Sequence, residues 1–488
     1  MDPRCERLRL LRRQFLTSTA GGAGALALLS LLRETGVLAS PAKGRAPKAK
    51  NCIFFFMEGG PSQFDLFSHK PKLNELHMKR PPEALLKGKR FAFIRSENAV
   101  LFGTPPERTF APYGKSGMIF SHLIPGLARH ADRICKIQTV FTNQFNHHPA
   151  QLVLQTGDGL DGGHPSIGSW FLYGLGSENK DLPGYVVLNS SRYLSGGSRL
   201  WQSGFLPTNY GGVGLQPNGD PVLNLAAPKG VSQKIERRGL DSLARLNEMH
   251  RQQMADPEIS ARIENYELAF RMQSAAPALV DLANESPETR ARYGIERSDP
   301  TDVFVRADRV PTRGFANFAR HCLLARRMVE RGVRFVNVFS GSWDAHSYLE
   351  TEIVYMSRMI DQPIAALVDD LAERGLLDET LIVIAGEFGR TPLGEHSSND
   401  TVYGRDHHPD AFPILLIGGG VKGGLTFGET DELGWAPIRD AVDVADIHAT
   451  LLHLFGLDHT KLTYPFRGAE PRLTPLTRPA RVIDEILA

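Results

Sequence analysis

The chain has 488 residues, 42% hydrophobic and 23% charged, an ordinary globular composition that excludes a disordered or fibrous protein. Lys and Arg number 56 against 54 Asp and Glu, and a formal net charge of +2 gives no electrostatic case for nucleic acid. The four cysteines, Cys5, Cys52, Cys135 and Cys322, form no C-x-x-C pair, so neither a zinc knuckle nor a redox dithiol is indicated. Cys5 is expected to leave with the leader, and three remaining thiols read as buried groups rather than a disulfide framework.

From the N-terminus, five arginines precede Phe15, and Arg12 and Arg13 are adjacent. A Gly- and Ala-rich apolar run then ends near Leu32, and "VLASPA" supplies small residues for cleavage near Ala39 or Ala42. Residues 1–42 thus have the layout of a twin-arginine signal peptide, too weakly apolar for a stable membrane helix. No other segment is long and apolar enough to span a bilayer, so no membrane contact is expected after cleavage. The signal predicts a periplasmic or extracytoplasmic protein. Lysine at both Arg12 and Arg13 should strand the precursor in the cytoplasm. Arrival of that variant in the periplasm, followed by cell fractionation, would refute the twin-arginine reading.

After the basic linker "SPAKGRAPKAK" comes "NCIFFFM", a short continuous apolar run typical of a strand buried on both faces. "ICKIQTVFT", "GYVVLN", "VRFVNVF", "TLIVIAG" and "FPILLIG" read the same way. Between them lie helical patterns: "FANFARHCLLARRMVERG", "EIVYMSRMIDQPIAALVDDLAERG" and "DVADIHATLLHLFG". The alternation predicts an α/β fold with a large, mostly parallel sheet flanked by helices, over residues 50–475. Residues 233–310 read as a helical insertion within it.

Ligands of open α/β sheets bind beyond the carboxyl ends of the strands, so the residues after each apolar run matter most. Glu58 follows "IFFFM"; His147 and His148 follow "QTVFT"; Asp344 and His346 follow "VRFVNVF"; Glu387 and Arg390 follow "LIVIA". "GRDHHPD", with Arg405, Asp406, His407 and His408, stands just before "FPILLIG". Each group alone has a bland explanation, such as a loop hydrogen bond, a solvated turn or a helix cap. Five such groups on one predicted sheet edge form a constellation. Carboxylate with neutral imidazole suits zinc, manganese or iron; carboxylate and carbonyl oxygens suit calcium or magnesium. Arg390 can pair with its neighbouring Glu or grip an oxyanion with its planar fork.

"HHPAQLVLQTG" resembles the sulfatase active-site helix, C/S-x-P-S/A-R followed by a run ending in T-G. In that alignment His147 stands where the formylglycine-forming Cys or Ser would be. Pro149 keeps the Pro, Gln151 replaces the Arg, and Thr156-Gly157 keep the end. "DVADIHATLLHLFGL" is similar to the sulfatase segment D-I/L-x-P-T-L-L-x-L-A-G-L. "LIVIAGEFGRT" sits where the alkaline phosphatase superfamily has a strand followed by D-H-G, with Glu387 for the Asp and Phe388 for the His. Through "EGGPSQFDLF", "HPSIGSW", "GSWDAH", "EFGRTP" and "GRDHHP" the whole chain, about residue 50 to 470, resembles a sulfatase-like family of exported bacterial proteins, domain of unknown function 1501.

That resemblance implies the alkaline phosphatase/sulfatase fold and a divalent metal ion: zinc, calcium or manganese. It implies Glu58, Asp344, His346, Glu387, His407 and His408 as metal-holding candidates. His147 and Arg390 become candidate catalytic groups, and His148, Gln151 and Arg405 candidate substrate contacts. The expected activity is metal-dependent hydrolysis of sulfate or phosphate esters, polysaccharide esters among them, without a formylglycine nucleophile. The alternative is a catalytically inactive sulfatase-like protein that binds a sulfated or phosphorylated ligand.

Overall fold

The computed structural model describes residues 48–488 apart from 90, 161, 192–193, 217–220, 223–224, 228–229, 255, 307–313 and 397–402. The signal segment 1–42 therefore lies outside the described residues. Among those described, no helix is long and apolar enough to cross a membrane.

The strands used below are β1 (Asn51–Met57), β2 (Val100–Leu101), β3 (Ile134–Phe141), β4 (Tyr185–Asn189), β5 (Val213–Gly214), β6 (Phe335–Ser340), β7 (Thr380–Ala385), β8 (Gly389–His396), β9 (Tyr403–His408), β10 (Phe412–Gly418), β11 (Leu425–Phe427) and β12 (Val442–Asp443). The main sheet runs β11-β3-β10-β7-β1-β6-β4-β5, with β12 also on β3. β1 lies at its centre and pairs in parallel with β6 and β7. Its period-2 side chains explain why: Ile53, Phe55 and Met57 enter one hydrophobic core, and Cys52, Phe54 and Phe56 enter the other. Helices α1 (His147–Thr156), α2 (Ile167–Leu175) and α7 (Val444–Leu454) send apolar side chains into the Phe54 core. α5 (Gly314–Glu330) and α6 (Leu349–Glu373) cover the Phe55 core. Two long helices, α3 (Gln233–Met254) and α4 (Pro257–Val280), run consecutively and pack on each other beside α5. Cys52, Cys135 and Cys322 are buried free thiols.

The main sheet is mostly parallel, as the sequence predicts, and two features go beyond that reading. β10 is antiparallel to both β3 and β7. A continuous apolar run marks a buried strand without giving its direction. The segments "GRTPLGEH" and "YGRDHH", which lie outside the six predicted strands, are strands β8 and β9 of a second, antiparallel sheet ordered β9-β8-β2. This hairpin stands at the carboxyl end of β7 and returns the chain into β10. It brings the late histidines back to the edge where β1, β3 and β6 also end.

Candidate metal centre

Four side-chain atoms converge at the carboxyl ends of the central strands. Asp344, on the loop after β6, points Oδ1 at His346 Nε2 (2.8 Å), His147 Nε2 (3.1 Å) and His407 Nε2 (3.5 Å). His346 Nε2 and His407 Nε2 stand 2.9 Å apart. Ligands at about 2.1 Å from one tetrahedral ion are separated by about 3.4 Å, so these spacings fit a shared cation. His147 Nε2 is buried and has no hydrogen-bond alignment with any partner, Asp344 included. A lone pair aimed at a common point rather than at a donor explains it.

The far side of each ring gives the same answer. His147 Nδ1 meets Glu387 Oε1 at 2.6 Å, His346 Nδ1 meets Glu395 Oε2 at 2.6 Å, and His407 Nδ1 meets the Phe145 carbonyl at 2.7 Å. Each Nδ1–H donates to an oxygen, which fixes the tautomer with Nε2 free to ligate, the usual support of a metal-bound imidazole. Electrostatics divide the three rings. Burial pushes His147 down, but the carboxylates of Asp344 and Glu387 outweigh it and hold the ring up at about 9. His346 is raised in the same way by Asp344 and Glu395. Burial wins at His407, which drops to about 4. For Asp344 burial acts upward, yet Arg390 and the imidazoles hold it well below the ordinary carboxylate range.

A second acidic group adjoins the first and shares His147. Glu58 and Glu387 lie with it within metal-binding reach. Glu387 accepts from Gly59 N–H at 3.0 and 3.1 Å, and Gln151 Nε2 reaches Glu58 at 3.2 Å and Glu387 at 3.4 Å. Burial, with Glu387 beside it, pushes Glu58 up to about 7. Gly59 has φ +108°, and a Cβ there would stand 2.4 Å from the Asp344 amide nitrogen. Only glycine lets the turn after β1 touch the Asp344 loop.

The sequence expectations for individual residues divide here. His147, Asp344, His346 and His407 are brought together; Glu58, Glu387 and Gln151 stand beside them. His408 does not join. It is fully buried on the other side of β9, with Nε2 on the Trp435 carbonyl at 2.6 Å, because consecutive strand residues point to opposite faces. Arg405 is no surface contact either. It is buried between the rings of Phe64 and Phe102 and pairs with Asp65 at 3.2 Å. Arg390 is 1% exposed, and all its nitrogens donate inward, to the carbonyls of Gly60, Arg405 and Gly59 and to Asp344 Oδ1 at 2.6 Å. It holds Asp344 in place rather than reaching an oxyanion. His148 bonds the Ser195 carbonyl through Nδ1 and is outside the converging group. Sequence reasoning missed Glu395. It faces Gly404 across the β8–β9 hairpin, a pairing invisible without the two strands, which the sequence does not predict.

A family model described as "Protein of unknown function (DUF1501)" matches residues 49–487. The chain belongs to that family. No curated protein matches this DUF1501 chain. Among solved structures it is similar to the PsFucS1 sulfatase from Pseudoalteromonas sp., at 13% identity and TM-score 0.35, over 89% of this chain and 71% of that one. It is similar to the lipoteichoic acid synthase LtaP from Listeria monocytogenes, at 9% identity and TM-score 0.38, over 91% and 80%. It is also similar to an alkaline phosphatase from the Antarctic bacterium TAB5, at 11% identity and TM-score 0.30, over 77% and 92%. Likenesses this distant carry no argument for an activity in this DUF1501 protein.

Proposed function

We propose that the chain is an exported, metal-dependent hydrolase of sulfate or phosphate esters, of the alkaline phosphatase/sulfatase superfamily. One observation carries the reading: three Nε2 atoms and one carboxylate oxygen converge, while every opposite ring nitrogen is tied to an oxygen acceptor. His147, His346, His407 and Asp344 would hold a divalent ion, and this donor set suits zinc or manganese better than calcium. Such an ion supplies Lewis-acid polarisation of the ester oxygen and a lowered water pKa. Glu387, the Phe145 carbonyl and Glu395 orient the rings, and Arg390 orients Asp344. His147 stands where the sulfatase pattern has its Cys or Ser, so the nucleophile in this reading is water.

The same lack of a side-chain nucleophile favours the second reading, a protein that binds an anionic ligand without turnover. Purified protein assayed on aryl phosphates and aryl sulfates with added zinc, manganese or calcium separates the two. Hydrolysis that a chelator stops and that His147→Ala abolishes is expected. Stoichiometric metal without turnover on any ester would favour the binder. His147→Cys is not expected to restore sulfatase behaviour, because Ala150 and Gln151 still break the C-x-P-S-R pattern.

A further inference from the structure

Phe388 and Phe93 both lie against the converging imidazoles, and they differ in what stands on their far side. Phe388 sets its ring centroid 5.0 Å from that of His147 and 4.6 Å from that of His407, and it is 1% exposed. It closes the centre from within. Phe93 sets its ring centroid 4.6 Å from that of His346 and 6.4 Å from that of His407, yet it is 63% exposed. The side chains of His147, Asp344 and His346 keep 18%, 18% and 15% of their surface open to solvent. Water therefore reaches the converging group, and an apolar ring stands beside the opening.

Phe93 is not a loose loop tip. Asp406, fully buried, accepts from Phe93 N–H at 2.8 Å and Ile94 N–H at 3.0 Å through Oδ2. Its Oδ1 accepts from His407 N–H at 2.7 Å. One carboxylate therefore fixes the backbone of Phe93 and that of a converging histidine together. Phe91 and Ile94 pack against the small apolar core of Leu101 and Trp435. The neighbours of Phe93 thus turn inward while its own ring stays out. Covering the open part of that ring with an apolar group is favourable, because it removes carbon from water.

We infer that Phe93 is the specificity-determining residue of the centre, the side chain against which the alcohol part of the ester lays an apolar face. The inference rests on the ester-hydrolase reading and adds to it a residue that touches no metal. An anion held by the centre enters from the open side, and the group esterified to it is then carried to the ring that borders that side. Contact with the ring rewards this group and leaves the anion's own binding unchanged. Arg95, two positions on and exposed, disfavours a cationic alcohol.

Two measurements test it. Phe93→Ala keeps the N–H that Asp406 holds, so the segment should stay in place, and metal content is the control for an intact centre. In the first, kcat/KM of the metal-loaded wild type, Phe93→Ala and Phe93→Leu is compared on the phenyl and the methyl ester of the same acid. Phe93→Ala should lower kcat/KM about tenfold on the phenyl ester and less than about twofold on the methyl ester, and Phe93→Leu should recover part of the loss. Equal losses on both esters, or no loss on the phenyl ester, overturn the inference. In the second, calorimetry compares phenylphosphonate with inorganic phosphate, and benzenesulfonate with sulfate, on the same metal-loaded proteins. In one pair Phe93→Ala should weaken the phenyl compound about tenfold and the bare anion less than about twofold. That result supports the role of Phe93 even if no ester is turned over, an outcome that would sink the hydrolase reading alone. Failure of the wild type to bind either phenyl compound, or binding that Phe93→Ala leaves unchanged in both pairs, overturns the inference.

Discussion

Asp344→Ala is expected to empty the metal centre and to destabilise the fold, whereas His346→Ala should do mainly the first. Both residues sit on one loop, so sequence reasoning alone predicts similar outcomes. The structure separates them. Asp344 Oδ1 meets three imidazoles and also the guanidinium of Arg390 at 2.6 Å. Arg390 is buried, and removing its carboxylate leaves a charge in low dielectric with only carbonyl dipoles around it. Breaking a buried pair from one side costs on the order of a few kcal/mol. His346 is uncharged when it ligates, and although its loss removes a contact from Glu395, Asp344 and His407, the buried Asp344–Arg390 pair stays intact. Elemental analysis should show metal lost from both variants. Thermal unfolding should fall clearly further for Asp344→Ala. Unchanged metal content in both would exclude this loop as a source of ligands.

Gly404→Ala is expected to weaken metal binding more than about tenfold, although Gly404 touches no ligand atom. A Cβ at 404 would stand 2.1 Å from the His346 carbonyl carbon and 2.4 Å from the Ala345 oxygen. Both are backbone atoms, which cannot swing aside, so the loop between Asp344 and His346 must move. The next residue anchors the same loop, Arg405 N–H donating to the Ala345 carbonyl at 3.1 Å. A displacement of about 1 Å suffices to spoil coordination geometry. Gly394→Ala, on the facing strand, is the control. Its Cβ would meet only the Phe102 side chain, at 3.2 Å, which can rotate slightly. Metal titration of the two variants beside wild type checks the contrast; equal affinities in all three would show that the loop tolerates the shift.

The six apolar strands and the long helices were legible because their signal is burial of carbon. "NCIFFFM" is buried on both faces and reads so directly. The β8–β9 hairpin was not legible for the complementary reason. Its buried side chains are mostly polar, Arg390, Arg405, Asp406 and His407 among them, each 5% exposed or less. Polar residues that fill a buried site look like loop residues to any reading based on hydrophobic period. The edge where the polar side chains converge was predictable from strand ends, and the meeting of His147, Asp344 and His346 follows from that rule. What the rule could not decide was which of His407 and His408 faces inward. That choice depends on the phase of a strand that the sequence did not announce. The inward pairing of Arg390 was equally hidden, since its partners are backbone carbonyls contributed by residues 59, 60 and 405.

The converging groups come from distant parts of the chain. His147 and Glu387 are 240 positions apart, and Gly59 and Glu387 are 328 apart. His407 arrives only with the hairpin that leads into β10, so a nascent chain released before that hairpin offers an incomplete set of donors. Contacts of such sequence separation form slowly, because long loops must close before they are rewarded. A cation that binds only the completed set stabilises the finished fold and none of its precursors. On the metal-centre reading, uptake of a cation would mark the end of folding. A time course of metal incorporation during refolding should lag the burial of the central strand, with the cation sealing a sheet that has already formed.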